Sequence, residues 1–255
     1  ETAKERIAAG DAFQVVLSRK FPVRIKGSTM PFYRNLRSRN PSPYQYFIKL
    51  GKREIVGSSP EMLVRVEDKK ATTFPIAGTR PRGKTQKEDA ELEKSLMADP
   101  KERAEHSMLV DLARNDIGKV SRPGSVKVES FMKIKKFSHV QHLVSEVSGE
   151  LYGSSLDALK SVFPAGTVSG APKLSALKII DELEPQARGP YGGAVGYLSL
   201  DGSCDFAISI RTLFRDGENA FIQAGAGIVQ DSIPESEFNE TQHKADALLE
   251  CLALP

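Results

Sequence analysis

The stretch DGSCDFAISIRTLFRDGENAFIQAGAGI, residues 201–228, decides the fold. Asp201-Gly202 and Asp216-Gly217 are typical of tight turns between antiparallel strands, because glycine adopts a positive φ without steric cost. They predict three consecutive strands, of which the middle one covers residues 204–214 and the last one ends at residues 225–228. The stretch therefore predicts an antiparallel sheet.

Further strands are predicted in the first third of the chain, and helices are predicted in the middle and at the end. The predicted strands are short β-rich runs between turn residues: 12–19, 44–50, 54–57, 62–66, 71–74 and, later, 140–147. The predicted helices cover residues 87–97, a segment opened by Asp99-Pro100 that stops before Gly118, a segment up to Glu184-Pro185, and the end of the chain. We therefore expect an α+β fold in one continuous domain, residues 1–255, with large, mostly antiparallel sheets and helices packed on their outer faces.

The composition is that of an ordinary globular protein, with 40% hydrophobic and 27% charged residues in a chain of 255. A net charge of +3 is too small to indicate a nucleic-acid or membrane surface. No apolar run reaches the roughly 18 residues of a membrane helix. Two cysteines favour a reducing cytoplasm over a disulfide scaffold. The abrupt start, without methionine, indicates a fragment of a longer protein.

Two acidic pairs, Glu102 with Glu105 and Glu237 with Glu240, have a spacing that puts both carboxylates on one helical face. If the two helices face each other, four carboxylates converge where a hard cation can bind. Oxygen ligands favour magnesium, whereas zinc lacks cysteine partners here and a di-iron site needs a second Glu-x-x-His. The same spacing is also typical of a solvated helix surface.

Three glycine-bearing segments, residues 75–83, 164–173 and 225–227, are read as turns at the edges of strands or helices. The second places backbone N–H groups and the Thr167 and Ser169 hydroxyls before a helix, which suits an anion. It lacks the Gly-Lys-Ser/Thr ending of a nucleotide-binding loop. Taken alone, each segment is more often a plain tight turn than a ligand-binding loop.

Arg211 stands out on the strand predicted for residues 204–214. Alternation would put it beside the small residues Ala207 and Ser209, which leaves space for a carboxylate that a guanidinium grips with two hydrogen bonds. A structural ion pair is the alternative. The residues alone thus indicate a magnesium-dependent domain that binds a small carboxylate, with its reaction undefined.

Ten stretches, in order along nearly the whole chain, resemble the chorismate-binding enzymes and, among them, most closely the large subunits of anthranilate synthase. They are residues 10–19, 57–61, 75–83, 104–116, 138–145, 164–173, 188–196, 210–212, 223–228 and 235–237. The resemblance implies the α/β sandwich of the anthranilate synthase type.

The resemblance also implies a set of site residues. Glu105 and Glu240 would bind Mg²⁺, with Glu102 and Glu237 assisting directly or through water. The residues that would line the chorismate pocket are Gly78, Thr79, Thr167, Tyr191, Arg211, Gly225, Ala226 and Gly227. The residues that would serve the chemistry are Glu61, which protonates the departing hydroxyl, His142, which handles protons in the elimination of pyruvate, Lys244 near the metal, and Gln14.

Two positions discriminate among the reactions that this family catalyses. Family members that add water carry a lysine at the Gln14 position, because water needs a general base, whereas ammonia already has a lone pair. Aminodeoxychorismate synthases usually carry a nucleophilic lysine at the Ala77 position. Gln14 with Ala77 therefore implies conversion of chorismate and ammonia to anthranilate and pyruvate, the first step of tryptophan biosynthesis.

The ammonia would come from glutamine through a partner amidotransferase subunit, anthranilate synthase component II. The chain departs from the family at its front, where the N-terminal region with the tryptophan feedback site is missing. A non-catalytic module that binds chorismate is therefore one open alternative. Aminodeoxychorismate synthase is the other, since some family members vary the residue at the Ala77 position.

Overall fold

The computed structural model describes residues 1–137 and 140–253, so that His139, one of the four histidines, lies outside the described residues. The helices, in chain order, are α1 (Thr2–Ala8), α2 (Met30–Arg39), α3 (Gln86–Ala98), α4 (Pro100–Gly118), α5 (Ser155–Val162), α6 (Lys173–Leu183) and α7 (Pro234–Leu252), with a short 3₁₀ turn at Gly166–Val168. The strands are β1 (Gln14–Arg24), β2 (Tyr44–Leu50), β3 (Arg53–Ser59), β4 (Met62–Glu67), β5 (Lys70–Thr73), β6 (Ile76–Pro81), β7 (Lys127–Lys136), β8 (Val140–Glu150), β9 (Gly170–Ala171), β10 (Ala194–Leu198), β11 (Cys204–Ile208), β12 (Thr212–Asp216) and β13 (Asn219–Ile228).

The chain folds into two compact units. The first consists of Glu1–Glu61, Pro164–Val195 and Ala207–Pro255, and the second of Met62–Phe163 and Gly196–Phe206. Each unit is therefore built from segments that are distant in the sequence.

The first unit contains a six-stranded sheet in the order β2-β3-β12-β13-β1-β9. Its longest pairing is antiparallel and joins β1 to β13 over ten residue pairs, from Val15 with Ile228 to Arg24 with Asn219. Helices α2 and α7 pack on this sheet around buried apolar residues, and α6 packs on β1 in the same way. Burial of each larger apolar side chain contributes about 1.5–3 kcal/mol and stabilises the packing of these helices on the sheet.

The second unit contains most of a seven-stranded sheet in the order β10-β11-β4-β5-β8-β6, with β7 paired to β8. The pairings of β8 with β5, β6 and β7 are all antiparallel. Helices α3 and α4 pack on β6 and β8. Leu96 of α3 and Leu143 of β8 have no exposed surface, so this contact fixes the helices on the sheet.

The predicted fold class, α+β with large antiparallel sheets, is confirmed. Strand β2 has the predicted bounds, and α3 begins and ends within one residue of its prediction. Asp99 caps α4 as expected, because its carboxylate accepts the N–H groups of Lys101 and Glu102 at 3.0 and 3.2 Å. Helix α4 extends to Gly118 itself.

The single strand predicted for residues 204–214 is wrong. The chain forms two strands there, β11 in the seven-stranded sheet and β12 in the six-stranded sheet. Between them the Ile210 N–H bonds the Ile208 carbonyl, two residues back, at 2.9 Å, and Arg211 has a φ of +51°. Both features interrupt the extended backbone. Arg211 therefore does not share one face of a continuous strand with Ala207 and Ser209.

The turn predicted for residues 75–83 is also wrong, because most of this segment is strand β6. The pairing of β6 with β8 shifts register between Ala77 and Thr79, and Gly78 has a φ of +69°. Such a bulge accommodates the glycine without ending the strand. Within the described residues, no helix has the length and apolarity needed to cross a membrane.

Candidate active site

Glu61 follows β3 by two residues and belongs to the first unit. Its carboxylate contacts the glycine-rich segment 164–173. The Thr167 hydroxyl donates a hydrogen bond of 2.8 Å to Glu61 Oε1. Burial raises the pKa of Glu61 to about 7, and both this hydrogen bond and the charge of Lys244 oppose the rise. Glu61 can therefore hold or release a proton near neutral pH, as a general acid requires.

Tyr191 and Arg211 belong to the same unit. Tyr191 is buried, which raises the pKa of its hydroxyl to about 12, so the phenol stays protonated. Burial lowers the pKa of Arg211, and the nearby Tyr191 and Glu240 partly oppose this. Among residues 1–137 and 140–253, no hydrogen bond or salt bridge engages the Arg211 guanidinium. Its donors can therefore bind a carboxylate ligand.

The glycines of β13 create space beside these side chains. A Cβ atom at Gly225 would lie 2.8 Å from the Tyr191 hydroxyl oxygen, and one at Gly227 would lie 2.8 Å from Gln14 Nε2. Real Cβ atoms do not approach this closely, so only glycine fits without a shift of its neighbours. Gln14 itself is buried. The structure thus groups Gln14, Tyr191 and both glycines.

Ala226 lies between these glycines, so its side chain points to the opposite face of the strand. It lines a cavity of about 340 Å³ together with Leu17, Arg19 and Phe238. Only the backbone of Ala226 can therefore contribute to the face that carries Gly225 and Gly227. Glu237 also lines this cavity.

Lys244 joins α7 to the end of β13. Its ammonium donates to Glu240 Oε1 at 2.5 Å, one helical turn away, and to the Gly225 carbonyl at 2.9 Å. The Glu240 side chain remains half exposed. The structure therefore confirms the predicted helix for Glu237 and Glu240 and places Lys244 against the second of them.

Glu102 and Glu105 both lie on α4 in the second unit, as predicted. Arg80 of β6 donates to Glu102 at 3.1 Å and to Asp99 at 2.8 Å. A Cβ atom at Gly78 would lie 3.0 Å from Glu102 Oε2, so this glycine gives the carboxylate room. The sequence motif at residues 75–83 does not predict these contacts of Arg80. Convergence of the two acidic pairs stays a prediction.

His142 lies on β8, beside β6. Its Nδ1 atom is 2.8 Å from the Gly78 carbonyl oxygen and 3.1 Å from the Thr79 hydroxyl. A carbonyl oxygen only accepts hydrogen bonds, so Nδ1 carries a proton and donates a hydrogen bond to the Gly78 carbonyl. In neutral His142 the lone pair therefore sits on Nε2, which is the atom able to accept a proton from a ligand.

His106, which adjoins Glu105 in the sequence, is a core residue. It has no exposed surface, its Nε2 lies 2.6 Å from the Ser145 hydroxyl, and burial lowers its pKa to about 4. Ser145 also accepts the backbone N–H of Met132 at 2.9 Å. His106 therefore anchors α4 to β7 and β8 from inside the unit.

The acidic residues suit a hard cation in their chemistry, since all four offer carboxylate oxygens. Within each unit, the described residues contain no group of three or more His, Cys, Asp or Glu side chains arranged around a metal position. Arg80 and Lys244 now neutralise Glu102 and Glu240 in the way that a bound cation could. The four carboxylates are oxygen donors of the kind that Mg²⁺ prefers, and a magnesium site at these residues stays a prediction.

Comparison with known proteins defines the class to which this fold and these residues belong. The family model for chorismate binding enzymes matches residues 1–250, so the chain belongs to the chorismate binding enzyme family. It is similar to anthranilate synthase component 1 of Methanothermobacter marburgensis, with 59% identity over 99% of this chain and 55% of that protein. The chain thus spans about half the length of the curated relatives that it matches.

Solved structures show the same relationship. The crystal structure of anthranilate synthase component I from Streptococcus pneumoniae TIGR4 has a TM-score of 0.91 and 49% identity, covering 97% of this chain and 55% of that one. The menaquinone-specific isochorismate synthase of Escherichia coli has a TM-score of 0.90 and 30% identity, covering 99% and 59%. The fold is therefore shared by enzymes with different reactions, and the site residues must distinguish them.

Proposed function

We propose that this chain converts chorismate and ammonia to anthranilate, pyruvate and water. The observation that carries the proposal is the Glu61 carboxyl, whose pKa of about 7 lets it donate a proton while the Thr167 hydroxyl holds it at 2.8 Å. The similarity to component 1 of anthranilate synthase supports the same reaction.

Chorismate is a dicarboxylate, and the first unit offers groups for one of its carboxylates. The Arg211 guanidinium and the protonated Tyr191 hydroxyl would hold the enolpyruvyl carboxylate, and the backbone at Gly225, Ala226 and Gly227 would complete the contact. Thr167 would line the same pocket, and Gly78 and Thr79 stay predicted contacts of chorismate. A planar guanidinium binds a carboxylate through two hydrogen bonds, which an ammonium cannot reproduce.

Two steps account for the overall reaction. Ammonia adds at ring carbon 2 while the hydroxyl at carbon 4 leaves, protonated by Glu61 as water. The added nitrogen loses one proton, which restores the acid form of Glu61. The bond between ring carbon 3 and the enolpyruvyl oxygen then breaks while the Nε2 atom of His142 takes the proton that ring carbon 2 must lose. That proton passes to the departing enolpyruvate, which becomes pyruvate as the ring becomes aromatic. Gln14 faces the ammonia, which needs no general base because its nitrogen already has a lone pair.

Glu105 and Glu240 would bind Mg²⁺, with Glu102 and Glu237 behind them and Lys244 alongside. When bound, the cation would neutralise the ring carboxylate of chorismate. The residues that now pair with these carboxylates, Arg80 and Lys244, would preserve their orientation before the cation binds.

An amidotransferase subunit that releases ammonia from glutamine is the partner we propose. The numbering of the relatives as component 1 supports it, since it implies a second component. We place the protein in the cytoplasm, and the two buried free thiols, Cys204 and Cys251, are consistent with a reducing compartment.

Product analysis with chorismate, Mg²⁺ and ammonium tests the reaction. We expect anthranilate and pyruvate in equal amounts, and no anthranilate when ammonium is omitted. A stable amino product without pyruvate would instead identify an aminodeoxychorismate synthase. Binding of chorismate, measured by calorimetry, without any turnover would identify a non-catalytic module and refute the proposal.

A further inference from the structure

Arg188 and Glu184 form a largely buried ion pair just after α6, in the first unit. The guanidinium grips the carboxylate with two bonds, Nε to Oε2 at 2.8 Å and Nη2 to Oε1 at 2.6 Å. The side chains are only 16% and 7% exposed. A two-pronged contact of this kind fixes both position and orientation, because it restrains two atoms of each partner.

The pair ties together three parts of the unit. Arg188 also donates to the Val168 carbonyl at 2.5 Å and to the Val16 carbonyl at 2.7 Å. Glu184 in turn accepts both the N–H and the hydroxyl of Ser18, at 2.7 and 2.8 Å. Backbone pairing of β9 with β1 holds the C-terminal part of the glycine-rich segment 164–173, and the Arg188 guanidinium adds a side-chain link from Val168 to β1.

Val168, whose carbonyl binds Arg188, directly follows Thr167 in the glycine-rich segment. Adjacent Cα atoms are only 3.8 Å apart, so a displacement of the Val168 carbonyl moves Thr167 with it. The Arg188 guanidinium also lies 5.6 Å from the ring centre of Tyr191. Arg188 therefore contacts the backbone next to Thr167 and the ring of Tyr191.

We propose that Arg188 is a positioning residue, which holds Thr167 against Glu61 by fixing the Val168 carbonyl. The proposal rests on the proposed function only in taking Glu61 as the acid of the reaction. A 1 Å misplacement of a catalytic group can reduce a rate about 100-fold, so loss of this support should lower turnover.

Arg188→Lys is the test variant, because it keeps the positive charge and loses the planar fork. The readout is titration of the Glu61 carboxyl, followed by difference infrared spectroscopy against the Glu61→Gln variant without substrate. The Thr167 hydrogen bond favours the ionised carboxylate, so its loss should raise the pKa of Glu61. Lys244 and Tyr191, the charged and titratable groups that also act on Glu61, are unchanged in the variant.

Arg215→Lys is the matched control. Arg215 pairs with Glu54 at 3.2 Å in the same unit, with 12% and 7% exposure, and also binds the Gly27 and Gly217 carbonyls. Both substitutions should lower the urea midpoint by similar amounts. Only Arg188→Lys should shift the Glu61 titration upward, and only it should lower kcat about tenfold or more.

A double-variant cycle completes the test. Thr167→Val alone should raise the pKa of Glu61, and adding Arg188→Lys should raise it no further, because both act through one hydrogen bond. If Arg188→Lys unfolds the chain, Glu184→Gln, which weakens the grip on Arg188 at nearly constant volume, replaces it. An unchanged Glu61 titration, additive shifts, or an equal shift with Arg215→Lys would overturn the proposal. This titration needs no turnover, so it stays informative even if anthranilate is not the product.

Discussion

Lys244 and Glu240 form an ion pair of 2.5 Å across one turn of α7, and the same ammonium binds the Gly225 carbonyl at the end of β13. This arrangement holds a candidate metal-binding carboxylate beside a glycine of the candidate substrate pocket. The pairing also means that a cation that binds Glu240 must share it with Lys244 or displace Lys244.

Glu240→Gln should reduce the affinity for divalent cations and lower turnover at least about 100-fold, because a neutral amide is a weaker ligand than a carboxylate. Glu105→Gln should behave alike. Turnover is measured across a magnesium series, and cation binding is measured independently with Mn²⁺ by electron paramagnetic resonance. Glu235→Gln, in the exposed first turn of the same helix, is the control and should change neither. Equal Mn²⁺ binding by all three variants would contradict the metal assignment.

The pH dependence should follow Glu61. A general acid must be protonated, so kcat/KM should fall as the pH rises through about 7, the pKa that burial gives this carboxyl. Glu61→Gln should lower kcat by about 10²–10⁴-fold and remove this limb of the profile. A profile that keeps the limb in the variant would assign it to another group.

The raised pKa of Glu61 should also make the free energy of unfolding depend on pH. Because the folded-state pKa of Glu61 lies above its ordinary value of 4.5, the ionised form opposes folding. The neutral carboxyl contributes fully to the free energy of unfolding below pH 4.5, and this contribution is lost as the pH rises through about 7. Urea unfolding should therefore show Glu61→Gln gaining stability over the parent chain across that interval. A constant difference at all pH values would be inconsistent with the raised pKa.

Gly225→Ala should raise the KM for chorismate about tenfold or more, because the new Cβ would lie 2.8 Å from the Tyr191 hydroxyl and 3.0 Å from the Leu17 carbonyl. Either the phenol or the strand must move. Gly118→Ala, whose Cβ meets only Val126 at 3.9 Å, is the control and should leave KM unchanged. Steady-state kinetics decide between them, and equal KM values would exclude a close approach of the ligand to Gly225.

Gln14→Lys should lower the ammonia-dependent rate and introduce products in which water has been added. A buried lysine loses its proton more easily and can then act as a general base for water. Chromatographic separation of the products with and without ammonium measures the partition. Formation of anthranilate at the parent rate by the variant would show that Gln14 does not select the nucleophile.

The sequence predicted the regular elements well where local signals agreed with the tertiary structure. Strand β2 is a β-rich run that lies between turn residues. Helix α4 has the Asp99-Pro100 start that helices favour. It missed α2, because only Phe32 and Leu36 of that helix are buried. A stripe of two residues is too short to reveal a helical period.

The errors near the candidate site have a common physical origin. At Gly78 a bulge lets β6 continue through residues that are typical of turns. At Arg211 a positive φ interrupts the β-rich sequence of residues 204–214, which looks like one strand. Both depend on partners distant in the sequence, which no local pattern contains. The partners of Glu61 and Glu102, namely Thr167 and Arg80, were likewise visible only in the structure.

Anthranilate fluorescence tests the central claim most directly. The 255-residue chain and its Glu61→Gln variant are each incubated with chorismate, ammonium and Mg²⁺ at pH 7. We predict that fluorescence rises with the parent chain, in step with pyruvate, and at least about 100-fold more slowly with the variant. Equal rates with both chains, or consumption of chorismate without fluorescence, would contradict it.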